Sequence, residues 1–143
     1  MEITKLNGAL VAHNAFKVSN VIERVADLIP VQSLKNLKSL YLNGNCLKNV
    51  EKHSFKGLQS LELLDLSDNQ IDMIEAYSFE NHYLSILYLK NNLITRQEQF
   101  SLKGANPKLF IDLIGNNISI FSQESFLKDA EKLGIYISFR QKQ

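Results

Sequence analysis

The sequence predicts an α/β fold: a solenoid in which each turn is one internal repeat built on a very short strand. Two observations carry this. The first is the pattern L-x-x-L-x-L-x-x-N-x-(L/I), best kept by Leu61, Leu64, Leu66, Asn69 and Ile71. Leu37, Leu40, Leu42, Asn45 and Leu47 repeat it upstream, and Leu84, Leu87, Leu89, Asn92 and Ile94 downstream. Ile111, Leu113, Asn116 and Ile118 form a worn fourth copy, and the four asparagines are 24, 23 and 24 residues apart. The second is a late apolar spine at fixed offsets. Val50, Ile74 and Phe121 follow Leu42, Leu66 and Leu113 by eight residues, and Phe55, Phe79 and Phe126 follow them by thirteen. In the third repeat those places hold Gln97 and Leu102. A repeat of this size cannot bury its apolar face alone, so neighbours stack into one continuous core.

Each element follows from the spacing. Leu64 and Leu66 are two apart and share one face of a strand, while Asp65 between them points the other way. Asn69 sits where the chain leaves the strand, and a buried amide there can bond backbone groups that have no ladder partner. Stacked copies predict an asparagine ladder of Asn14, Asn45, Asn69, Asn92 and Asn116. Its first member belongs to a degenerate repeat in which Leu6, Ala9, Val11, Asn14 and Phe16 keep the motif's spacing. An alternative register makes Phe16 and Val18 the first strand pair. From Asn14 to Asn45 is 31 residues, and the extra length predicts a convex helix over 20–29. It is capped by Ser19 or Asn20 and ended by Pro30. Towards the other end, residues 124–133 read as a helix stopped by Gly134. Ile135–Phe139 reads as a last strand, with Ile135 and Ile137 matching Ile111 and Leu113. The organisation is one domain over 1–143: a degenerate repeat to 33, regular repeats over 34–123, and a closing helix and strand over 124–143.

With its late phenylalanine, the motif resembles the "typical" class of leucine-rich-repeat proteins, common among animal cell-surface and secreted receptors, adhesion molecules and innate-immune factors. The resemblance runs from about Leu34 to Phe139. It implies a curved, right-handed solenoid with a parallel sheet on the concave side and an irregular or helical convex side. Secreted members usually close both ends with disulfide-bonded caps, whereas Cys46 is the sole cysteine here. Two origins stay open: an intracellular relative, or part of a longer extracellular protein. The N-terminal residues do not read as a secretory signal. Asn117-Ile118-Ser119 fits the N-glycosylation pattern, which matters only in the secretory pathway.

Composition narrows the function. The net charge is +1 with both signs mixed, which favours neither nucleic acid nor a membrane surface. No run approaches the ~18–20 apolar residues of a membrane helix. Catalytic constellations do not form. Asp65 and Asp112 lie two rungs apart, roughly 9–10 Å, too far for a retaining glycosidase pair. His13, His53 and His82 occupy non-equivalent offsets, so no metal site or triad is expected, and no cofactor either.

In the resembling fold, partners usually bind the concave sheet. The central column there is expected to read Leu10, Tyr41, Asp65, Tyr88, Asp112, Tyr136. The column before it reads Gly8, Ser39, Leu63, Ile86, Phe110, Gly134, and the one after reads Ala12, Asn43, Ser67, Lys90, Ile114, Ser138. Tyrosines beside the apolar patch Leu63–Ile86–Phe110, with few charges, resemble the centre of a protein interface. The expected function is a non-catalytic protein-recognition module, related to adhesion or immunity, acting as a monomer or weak oligomer. The alternatives are an intracellular scaffold or adaptor, and a truncated piece of a larger receptor.

Overall fold

The computed structural model describes residues 9–12, 15–18, 22–25, 35–81, 83–98, 101–118 and 120–139. Strands β1 (Ala9–Ala12), β2 (Ala15–Val18), β3 (Ser39–Tyr41), β4 (Asn49–Val50), β5 (Leu63–Asp65), β6 (Met73–Ile74), β7 (Ile86–Tyr88), β8 (Arg96–Gln97) and β9 (Phe110–Asp112) precede helix α1 (Ile120–Leu133) and strand β10 (Tyr136–Ser138). The main sheet runs β1-β2-β3-β5-β7-β9-β10 and the narrow second sheet β4-β6-β8. From β2 to β10 every pairing in the main sheet is parallel. The chain is thus a parallel-strand β-solenoid of about four turns.

Alternation builds the main sheet. In β3, β5, β7 and β9 the middle residue is buried and its neighbours are half-exposed. Leu40, Leu64, Leu87 and Ile111 therefore stack inward, and Leu42, Leu66, Leu89 and Leu113 continue the core one step later. Phe55, Phe79 and Phe126 are all 1 % exposed and fill the far side of the same core. Burying each is worth roughly 1.5–3 kcal/mol against leaving it in water. In the second sheet β4, β6 and β8 take the places of Val50, Ile74 and Gln97, so the middle repeats carry a two-residue ladder there. Gln97 keeps its place in that ladder, and its Oε1 accepts the Ser101 hydroxyl at 2.8 Å.

Polar groups lock the turns from one repeat to the previous one. Asn69 Nδ2 donates to Leu66 O at 3.0 Å and to Leu42 O of the preceding repeat at 2.9 Å. Its Oδ1 accepts Leu47 N at 3.0 Å. Asn92 makes the same set with Leu89 O, Leu66 O and Ile71 N. Asn116 makes it with Leu113 O, Leu89 O and Ile94 N, and Asn45 with Leu42 O, Val18 O and Ile22 N.

The first and last rungs correct the expected register. β2 pairs with β3 as Ala15↔Ser39, Phe16↔Leu40 and Lys17↔Tyr41, the alternative phase. Phe16 to Leu40 is an ordinary 24-residue step. β1 folds back antiparallel on β2 with Leu10 opposite Lys17, and Lys17 pairs with Tyr41, so Leu10 keeps the register of the central column, one rung beyond Lys17. Counting from Phe16, the place equivalent to Asn45 falls on Val21 and not on Asn14, which lies outside the described residues, as do Gly8, Val21 and most of 20–29. The described part of that segment, residues 22–25, carries no α-helix.

At the other end Tyr136 pairs with Phe110, Ile137 with Ile111 and Ser138 with Asp112. Tyr136 therefore belongs to the column before the central one, displacing Gly134, and Ser138 takes the central place. The cause is α1, which starts at Ile120 rather than 124. A helix advances ~1.5 Å per residue and a strand ~3.3 Å, so a helical segment between two strands needs more residues to span the same turn. The step from Ile111 to Ile137 is 26 residues. Gly134 (φ 77°) ends α1. Its N–H donates to Glu131 O and that of Ile135 to Ala130 O, the paired bonds of a Schellman stop.

Candidate functional site

The outward side chains of the main sheet form columns across the strands. One runs Ser39, Leu63, Ile86, Phe110, Tyr136 and the next Tyr41, Asp65, Tyr88, Asp112, Ser138. Leu63, Ile86 and Phe110 are half-buried and Tyr136 is 68 % exposed. The Phe110 and Tyr136 rings stack, with centroids 5.6 Å apart and planes tilted by 16°. The register shift of the last strand thus lengthens the apolar row from three members to four. Tyr41 and Tyr88 are half-exposed, and Lys90, one column further out, is exposed.

The two aspartates have a structural duty the sequence did not reveal. Asp65 Oδ1 accepts Ser67 N and Asp112 Oδ1 accepts Ile114 N, both at 2.9 Å. Each carboxylate thereby closes the turn that ends its own strand. Tyr88 is paired between them, so they do not meet as an acid–base couple. Of the histidines, His13 and His82 lie outside the described residues. His53 Nδ1 comes within 2.8 Å of Glu80 Oε2 on the surface, away from the columns. Among the described residues no group of three or more His, Cys, Asp or Glu is placed to hold a metal ion. A cleft of about 710 Å³ opens beside the strand entrances, where Lys38, Glu62, Glu80 and Tyr83 give it a mixed charge.

A second polar column follows the strands of the second sheet. Glu75 Oε2 accepts Lys52 N at 3.0 Å, and Glu98 Oε2 accepts Ala76 N at 2.9 Å. Glu51 stands at the same offset and takes the Arg24 guanidinium instead, through bonds of 3.0 and 3.1 Å. That hydrogen bond, with a smaller charge–charge contribution, holds the Glu51 carboxyl below its ordinary value although burial acts the other way. Asn81, another residue the motif does not flag, donates to Leu58 O at 2.9 Å and accepts Leu84 N at 3.2 Å. The recurrence of glutamate nine residues after Leu42, Leu66 and Leu89 was the available signal for the first of these, and Asn81 had none.

Stacked parallel rungs, inward leucines and an asparagine at the turns after β3, β5, β7 and β9 define a repeat protein with an open sheet face. The family model described as "Leucine rich repeat" matches residues 20–71 and 35–82. The chain is a leucine-rich-repeat protein. It is similar to a leucine-rich-repeat protein of Leptospira interrogans at 26 % identity and a TM-score of 0.64, over 85 % of this chain and 29 % of that one. Human 5T4 (trophoblast glycoprotein, Wnt-activated inhibitory factor 1) shares the fold at 21 % identity and a TM-score of 0.65, over 90 % and 47 %. TLR13 in its complex with ssRNA13 does so at 20 % identity and a TM-score of 0.64, over 93 % and 23 %. The chain therefore spans less than half the length of each of these structures. No curated protein matches it. The fold is consistent with a protein-interaction module. Among the described residues no helix is long and apolar enough to cross a membrane.

Proposed function

We propose that this chain is a non-catalytic recognition module that takes a protein partner on its main sheet. The observation that carries it is the row Leu63, Ile86, Phe110 and Tyr136, contiguous, apolar and open on one face. Such a row is costly to leave in water, and aromatic residues with few charges favour the centre of an interface. Tyr41 and Tyr88 in the adjoining column add ring area and a hydroxyl each. The engagement of both aspartates by backbone amides supports the absence of catalysis. The late phenylalanines support assignment to the "typical" repeat class, and a role in adhesion or immunity is read from that class alone.

A photo-crosslinking residue at Tyr88, in an extract of the source cells, tests the reading. We expect a discrete adduct that disappears when Ile86→Ser and Phe110→Ser are combined with it. The same probe at Lys103, away from the sheet columns, should give none. Equal adducts at both positions would count against the sheet as the binding face. Asn117 is exposed, and its use would mark an extracellular origin. Secretory expression should then add an enzymatically removable glycan that Asn117→Gln prevents. An unmodified secreted chain speaks for the scaffold alternative.

A further inference from the structure

Resting on that reading, we propose that the partner segment is an α-helix lying across the strands. Its apolar stripe covers Leu63, Ile86, Phe110 and Tyr136, and its lysine or arginine side chains run along the Asp65–Asp112 flank. Spacing points to a helix. The row offers one side chain per rung, ~4.8 Å apart, and a helix returns the same face about every 5.4 Å. An extended segment returns it only every second residue, about 6.6–6.8 Å. Over the three steps of the row a helix drifts by about 2 Å and a strand by about 6 Å. An extended chain loses register within two rungs, and a helix does not. The strands are three residues long, roughly 10 Å, which is the width of one helix.

Charge selects the orientation. Each aspartate spends Oδ1 on its own turn, and Oδ2 meets no protein donor among the described residues. These two oxygens flank Tyr88, so a cation seated there gains both carboxylates and a ring face. On the opposite flank Lys38 and Glu62 pair with each other, 3.7 Å apart. That side asks for no net charge. Lys90 lies beyond the carboxylates, one column further out, and bounds the site where positive charge would fit.

The test uses three synthetic peptides of about five helical turns. One carries leucines at helical spacing with lysines along one flank. A second rearranges the same residues into strict alternation, and a third replaces lysine with glutamate in the helical order. Affinity is read by fluorescence anisotropy and location by amide shifts of the 15N-labelled chain. We expect the basic helical peptide to shift the amides of β5, β7 and β9. Ile86→Ser with Phe110→Ser should weaken it about tenfold or more. Asp65→Asn with Asp112→Asn keeps the turn acceptors, and should weaken it by about three- to tenfold and flatten its salt dependence. Tyr136→Ser, at the exposed end of the row, serves if the double serine variant misfolds, and is expected to weaken binding by about threefold or more. Equal or tighter binding of the alternating peptide to the same amides would overturn the helix while leaving the sheet as the interface. Absence of any shift in those strands with the basic helical peptide would also overturn the helix, and the Tyr88 adduct would then judge the face by itself.

Discussion

At the scale of single residues, each ladder asparagine serves two repeats at once. Asn69→Ala removes donors from Leu42 O and Leu66 O and an acceptor from Leu47 N. Left buried and unpaired, these groups should cost about 1–3 kcal/mol, read by denaturant unfolding. Arg24 offers a second test, since its guanidinium lowers the Glu51 pKa. A depressed carboxyl contributes stability that is present above its unfolded value and fades as pH falls through the folded value. Arg24→Ala should raise the Glu51 midpoint towards the ordinary range in a carboxyl NMR titration and remove that contribution, which is present at neutral pH. Both groups are largely at the surface, so the effect on global stability is expected to be small. The ladder asparagines from Asn45 onward were legible because they keep phase with leucines. The turn-closing role of Asp65 and Asp112 was not, because an outward aspartate and a turn-capping one look identical in a motif.

For whole elements, legibility depended on knowing how much rise each residue supplies. The strands β3, β5, β7 and β9 could be read directly from leucine pairs. The end strands could not, since a hairpin partner and a helix between strands each change the count without disturbing the apolar pattern. A one-place slip inverts a strand's faces, but a two-place slip preserves them. That is why Ile135 and Ile137 fit the motif two places away from the observed pairing. The end of α1 is open to experiment. Gly134 takes a positive φ, which costs an L-residue about 1–2 kcal/mol, so Gly134→Ala should lower stability by about that amount. Phe126 anchors the same helix in the core, and Phe126→Ala should cost about 3–5 kcal/mol. Thermal unfolding followed by circular dichroism measures both.

For the molecule as a whole, stability is a sum over rungs and the contacts between neighbours. Rungs around β5 and β7 have neighbours on both sides, whereas β1 and β10 each have one. Native-state hydrogen exchange should therefore find the Leu64 and Leu87 amides most protected, with protection falling towards β2 and β10. Uniform protection along the chain would mean that the rungs open only together. The repeat architecture was the most legible property, because it is written four times. The partner-facing columns were legible only in the middle, where the count of residues per turn is constant.

The ladder bonds also have a direction. Asn69, Asn92 and Asn116, like Glu75 and Glu98, complete backbone groups of the repeat before their own. Chains leave the ribosome N-terminus first. A newly emerged rung therefore waits, with polar groups unmet, for an asparagine some two dozen codons downstream. Translation tempo across those codons sets how long each nascent turn stays open to chaperones or to a neighbouring polysome chain.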